Sequence, residues 1–185
     1  SSHSFEQLYF ALLPQYQDDI LDDLCEILAL EDEGMMFYYR MYNYLGSGFS
    51  FGAGPLFQCD WEKLKDACIR HQSVLPQRFA HMCPVYKYSD NGVILGFSDF
   101  FLWLCDNFGD QKQMLHSFSS NMGTYSWSGI NGFSDFIARS IPFLKRLLEH
   151  EKPNVREWAA LELERNQKEV TYETSKEAYE RMIRG

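Results

Sequence analysis

Leu144-Lys-Arg-Leu-Leu-Glu-His-Glu-Lys-Pro-Asn-Val-Arg-Glu-Trp-Ala-Ala-Leu-Glu-Leu163 reads as two helices meeting at a short polar turn. Leu144, Leu147 and Leu148 fall at helical spacing, and Glu149 to Lys152 are polar. Pro153 suits the first turn of a new helix, where its missing N–H has no partner to lose. Val155, Trp158, Ala159 and Leu163 continue an apolar stripe along that second helix.

Upstream, Gly96-Phe-Ser-Asp-Phe100 returns unchanged as Gly132-Phe-Ser-Asp-Phe136, 36 residues later. Each copy precedes an apolar run, a polar turn and a second helical stretch; Asp106 to Asp110 supplies the turn in the first unit and Glu149 to Lys152 in the second. A period of this length is that of helical-hairpin arrays, in which each unit buries its apolar face on its neighbour. Ser98 and Ser134 are placed to cap their helices, with Asp99 and Asp135 favourably set against the helix dipole. The order of apolar helix, acidic turn, Pro-Asn-Val-Arg and second apolar helix resembles the repeat unit of HEAT and armadillo solenoids.

Asn121-Met-Gly-Thr-Tyr-Ser-Trp-Ser-Gly-Ile130 lies between the two units. Together with Pro153-Asn-Val-Arg-Glu-Trp-Ala159 it resembles the C-terminal tail of a group of large bacterial multidomain proteins, where such a loop precedes such a helix. That resemblance implies a piece of a larger bacterial protein, which its cysteine usage would place in the cytoplasm. Tyr125 and Trp127, set among Ser, Gly and Thr, are the aromatics expected to contact a partner, because such side chains supply contact area at low entropic cost.

Toward the N-terminus, Phe5 to Tyr16 reads as a short helix interrupted by Pro14. Ile20, Leu21, Leu24, Ile27 and Leu28 then mark an amphipathic helix from Asp18 to Leu30, with acids on its other face. Met35 to Leu45 gathers Phe37, Tyr38, Tyr39, Tyr42 and Tyr44, the mark of a thick core helix. Gly46 to Pro55 is a flexible connection; it lacks the Lys-Ser or Lys-Thr ending of a phosphate loop. Asp60 is a candidate cap for a helix over Trp61–His71, and Leu75–Met82 is a further short helix before Pro84. Asp90-Asn91-Gly92, between two β-prone runs, predicts a small hairpin. At the other end, Val170 to Thr174 weakens the last helix and Thr174-Ser-Lys-Glu177 has the pattern to restart it.

The chain has 185 residues, 45% of them apolar and 16% aromatic, which suits one domain with a packed core. Its net charge of −9 is concentrated in Asp18, Asp19, Asp22, Asp23, Glu26, Glu31, Asp32 and Glu33, a segment without Lys or Arg. Such a balance disfavours nucleic acid and anionic membranes, whose phosphates require clustered cations. Arg139, Lys145, Arg146, Lys152 and Arg156 are the cluster left for a helical-repeat nucleic-acid binder, an alternative reading. Five cysteines, an odd number in apolar surroundings, point to reduced core thiols. No run of apolar residues is long enough to span a membrane, and a start at Ser1-Ser2-His3 suggests a piece of a longer protein.

Cys59, Cys68, His71, His81 and Cys83 are the donors from which a metal-dependent or Cys/His hydrolase would be built, although their spacing fits no paired-knuckle pattern. The reading that follows is all-α: a short HEAT-like solenoid of stacked helical hairpins, with a small β-hairpin inserted. Residues 1–84 would be N-terminal helices, 96–163 two hairpins and 164–185 a capping helix. Its function would be recognition without catalysis, metal or cofactor, holding a protein partner or another domain of the same chain.

Overall fold

The computed structural model describes residues 12–30, 54–90, 93–122 and 132–184. The expected N-terminal helix before Leu12, the aromatic stretch 35–45, most of the glycine-rich connection, Asn91, and the loop carrying Tyr125 and Trp127 lie outside the described residues. Among those described, the protein is mostly helical. Its elements are α1 (Gln17–Ala29), a 3-10 turn (Pro55–Gln58), α2 (Trp61–Arg70), α3 (Leu75–Met82), β1 (Tyr86–Tyr88), β2 (Ile94–Phe97), α4 (Asp99–Phe108), α5 (Lys112–Met122), α6 (Gly132–Leu147) and α7 (Pro153–Arg184).

Local chemistry accounts for most of these boundaries. Asp60 caps α2 by accepting the Glu62 amide at 2.9 Å, and Ser98 caps α4 by accepting the Phe101 amide at 3.1 Å. The hairpin expected around Asn91 is present: β1 and β2 are antiparallel, pairing Tyr86 with Phe97 and Lys87 with Gly96. A register shift then pairs Tyr88 with Ile94, leaving Leu95 outside the ladder and exposed.

Three details differ from the sequence reading. In α1 the buried stripe is Leu21, Leu24, Cys25 and Leu28, while Ile27 is 41% exposed; the run 21, 24, 25, 28 is the one centred on a single helical face. The backbone at Ser134, expected to precede its helix, is already helical, because α6 begins at Gly132. Finally, α7 does not break at Val170 to Thr174 but runs unbroken for 32 residues, roughly 48 Å at the usual rise. Its hydroxyls are absorbed within the helix: Thr171, Thr174 and Ser175 each donate to the carbonyl four residues back, at 2.9, 2.7 and 2.9 Å. A Thr174 hydroxyl used in that way does not cap a new helix.

Packing runs from α1 through α3 and α5 to α7, each meeting the next, with α2 against α1 and α6 against α7. Two buried polar side chains tie successive helices at their ends. Arg78 of α3 donates to the Leu28 and Leu30 carbonyls at the end of α1. Asn121 of α5 donates to the Ala80 and Cys83 carbonyls at the end of α3, at 3.0 and 2.8 Å. Both satisfy carbonyls that a helix terminus leaves without an internal partner.

The apolar interior is a continuous cluster from Leu13 to Ala159 with Phe100 and Phe101 of α4 at its centre. Phe100 meets Phe57, Trp61, Phe79 and Trp103. Phe101 meets Phe97, Phe118 and Trp158. A helix buried on nearly all sides explains why the α4 sequence is apolar almost throughout.

The stretch Leu144–Leu163 forms the expected helical hairpin. Leu144, Leu147, Val155, Trp158 and Ala159 are buried, and Leu148 and Leu163 pack at the margin. Arg156 closes the turn by donating to the His150 and Glu151 carbonyls at 2.7 and 2.8 Å. The two polar turns recognised in sequence also lie against each other. His150 binds Asp106 at 3.0 Å, Lys152 binds Asp110, and Asn154 donates to the Asp110 carbonyl at 3.0 Å. Between them, Gly109 is packed so closely that an added Cβ would stand 2.4 Å from the Val155 Cγ2 and 2.9 Å from the Lys152 side chain.

Candidate functional site

α7 carries a buried stripe that changes character along its length. Val155, Trp158 and Ala159 give way at the same helical spacing to Glu162 and Asn166, both buried. A buried carboxylate needs partners, since removing it from water costs several kcal/mol. Glu162 has them on two sides. Its Oε1 accepts from the Ser119 hydroxyl at 2.6 Å, and its Oε2 lies 2.7 Å from the Arg165 guanidinium, an ion-pair contact that is not aligned as a hydrogen bond. Ser119 in turn accepts from the Trp158 indole at 2.9 Å. Indole, hydroxyl, carboxylate and guanidinium thus form one chain of contacts linking α5 to α7.

Over this chain lies a groove of about 310 Å³ between α5 and α7. Leu115, Trp158 and Leu161 give it an apolar lining, and Lys112, His116, Asn154, Glu157 and Arg165 form its polar rim. Lys112 and Glu157 face each other across it at 3.3 Å, an exposed pair that contributes little to stability. Leu161 is 61% exposed, so a large apolar side chain is available to a ligand beside an ordered polar frame. A smaller cavity of about 260 Å³ adjoins along α7, lined in part by Tyr86, Phe136, Ile137 and Ser140, and Arg165 borders both. There Asn166 donates to the Ser140 hydroxyl at 3.0 Å, and Ser140 donates to the Ile137 carbonyl at 2.7 Å.

The Ser119 hydroxyl is held between an indole donor and a carboxylate acceptor, and the Glu162 carboxylate is matched by Arg165. The cysteines singled out in sequence are buried, and His71 is held in an ion-pair contact. Cys25, Cys59, Cys68, Cys83 and Cys105 are all buried and unpaired. Burial pushes the Cys59 thiol up to about 11 and the Cys25 thiol up to about 12, and it raises Cys68, Cys83 and Cys105 as well. Protonated thiols are poor nucleophiles and poor ligands. His71 is engaged with Glu26 at 2.9 Å, and burial lowers the pKa of His81. No group of three His, Cys, Asp or Glu side chains among the described residues is arranged to hold a metal ion.

The charged clusters are also partly spent within the fold. Asp18 binds Lys63, Asp22 binds Arg70, and Glu26 binds both Arg70 and His71, so the acids of α1 form a seam with α2. In the basic cluster Lys152 and Arg156 are engaged at the turn, while Arg139, Lys145 and Arg146 are exposed on α6. No helix among the described residues is long and apolar enough to cross a membrane.

Tyr125 and Trp127, the partner-binding residues expected from sequence, lie outside the described residues. The groove residues were missed. The available signal was a Glu and an Asn at 162 and 166 on the stripe set by Val155 and Ala159, where further apolar residues were due. No protein-family model, curated protein or solved structure matches this chain.

Proposed function

We propose that this chain is a protein-recognition module without catalysis of its own, built as a short HEAT-like stack of helical hairpins. The observation that carries the reading is the α5/α7 groove, where exposed Leu161 and the Trp158 face stand beside a frame fixed by Ser119, Glu162 and Arg165. An apolar anchor site with a few ordered polar groups at its edge is how protein surfaces select partners. The abutting polar turns of the two repeat units support stacking of the hairpins, as neighbouring units do in helical arrays. Tyr125 and Trp127 join this reading as further partner-binding residues.

The partner is another protein or another domain of the parent chain. The resemblance of residues 121–163 supports a bacterial parent, five unpaired thiols agree with a reducing, cytoplasmic compartment, and a regulatory or defence role follows by analogy with helical arrays appended to effector domains. The test is affinity capture from cells of the source organism with the folded chain as bait. Two controls accompany it: Tyr125→Ala/Trp127→Ala, and Lys112→Glu/His116→Ala at the exposed rim of the groove. A stoichiometric partner held by the wild type and lost by both variants is the expected result. A partner retained by both, or turnover of a substrate abolished by Ser119→Ala, would overturn the reading.

A further inference from the structure

We propose that the smaller cavity beside α7 is a binding site for a primary ammonium group, that of a small alkylamine or of a lysine side chain. At about 260 Å³ it falls below the roughly 300–1,000 Å³ of pockets that enclose a drug-sized molecule, so it suits one short chain ending in a polar group. Its walls come from three elements: Tyr86 of β1, Phe136, Ile137 and Ser140 of α6, and Arg165, Asn166 and Glu169 of α7.

The polar wall calls for a donor. Ser140 has a single hydroxyl proton, committed to the Ile137 carbonyl at 2.7 Å, so toward Asn166 it can only accept. The Asn166 amino group therefore faces Ser140, at 3.0 Å, and that bond fixes the orientation of the amide. Asn166 Oδ1 is left without a partner among the described residues, although the residue is only 7% exposed, and this oxygen is not sealed from solvent. An amide oxygen so placed on the lining of a cavity is an acceptor for an incoming N–H or O–H.

Charge on the same wall decides between those donors. Glu162, Glu164 and Glu173 of α7 are matched by Arg165, Lys168 and Lys176, whereas Glu169 has no ion pair among the described residues. Glu169 follows Asn166 by one helical turn and lines the cavity with it. Arg165 is the only cation of that lining among the described residues, and Glu162 neutralises it, so the unmatched charge is negative. The apolar wall brings the Tyr86 and Phe136 rings together at 88°, their centroids 5.8 Å apart. Aromatic rings accommodate cations as well as alkyl chains. A neutral hydroxyl would satisfy Asn166 and leave Glu169 unmatched, and a quaternary ammonium would meet Glu169 with no N–H for Asn166. A primary ammonium answers both, with three N–H donors on a slender chain.

This inference goes beyond the recognition reading. The cavity meets the α5/α7 groove only at Arg165, and the test leaves the groove residues untouched, so either idea can fail alone. The isotope-labelled full chain is titrated with n-butylammonium, and the Asn166 side-chain amide and Ile137 backbone amide are followed by NMR. Saturable shifts at both are expected, in the millimolar range because the ligand is small. Glu169→Gln, at a partly exposed position, should weaken binding about tenfold. Glu164→Gln, the same charge change on the same helix away from the cavity, should leave it unchanged. Butyltrimethylammonium and n-butanol should each bind at least about tenfold more weakly than n-butylammonium. Nα-acetyl-lysine N-methylamide distinguishes the sources of the ammonium group. Binding as tight as that of n-butylammonium or tighter assigns the cavity to a protein side chain, weaker or no binding assigns it to a free amine, and either upholds the ammonium site. Absence of saturable shifts at both signals in the folded chain overturns the proposal. So does equal affinity for the quaternary or hydroxyl analogue, or a Glu169→Gln variant that binds no more weakly than Glu164→Gln.

Discussion

The two copies of Gly-Phe-Ser-Asp-Phe have the same sequence and different structures. In the first, Gly96 and Phe97 finish strand β2, Ser98 caps and the helix begins at Asp99. In the second, all five residues are already helical. What separates them is the neighbour. β1 offers Gly96 and Phe97 a ladder partner, and the Val85 carbonyl accepts the Ser98 amide at 2.8 Å. No strand among the described residues pairs with Gly132, and its carbonyl can instead accept a bond within the helix it begins. The repeat survives in burial instead. Phe100, Phe101, Leu104 and Phe108 are buried, and so are Phe136, Ile137, Ser140 and Leu144, each 36 residues later. Both copies also press on Tyr86, Phe97 stacked at 5.5 Å and Phe136 edge-on at 5.8 Å.

The difference predicts unequal responses to equal substitutions. Phe100→Ala removes a ring with no exposed surface and should cost about 3–5 kcal/mol in denaturant unfolding. Phe136→Ala, at a site 9% exposed and bordering a cavity, should cost clearly less. Equal losses would mean that the two units contribute alike and that α4 is not the centre of the core.

Next in size is Gly109→Ala, where the new methyl meets the Cys105 carbonyl of α4 as well as Val155 and Lys152 across the junction of the two turns. A loss of about 1–3 kcal/mol is expected from overpacking. A neutral result would show that the units are not closely seated there. Ser98→Ala removes a cap that also donates to the Pro84 carbonyl and should cost about 1 kcal/mol. Ser134→Ala should be close to neutral, because that residue lies inside its helix. Comparing melting temperatures of the two serine variants checks the structural difference directly, and reversal of their order would contradict it. Smallest is Lys87→Ala, which breaks the exposed 2.6 Å pair with Asp99 and should shift stability by no more than about 0.5 kcal/mol, less in high salt.

Sequence carried the fold where local chemistry and apolar spacing agreed. The hairpin at Leu144–Leu163, the Asp60 and Ser98 caps, the β-hairpin and the buried thiols all follow from such agreement. It misjudged α7, because Thr174-Ser-Lys-Glu177 reads as a capping box when considered alone. Only the helical carbonyls four residues back show where those hydroxyls go. The candidate groove was legible only as an irregularity, a Glu and an Asn on an apolar stripe. Their partners Ser119 and Ser140 are 43 and 26 residues away in the chain.

The sequence by itself determined the helical character, the repeat and its turns, and the acidity of α1, because spacing, capping and charge act within a few residues. Tertiary structure decided which copy of the pentapeptide becomes strand, which acids of α1 are matched by α2, and that Ser119, Trp158, Glu162 and Arg165 converge on one groove. Those outcomes depend on strand pairing, ion pairing and burial between segments far apart in the chain, and residue spacing carries no record of which distant segment arrives.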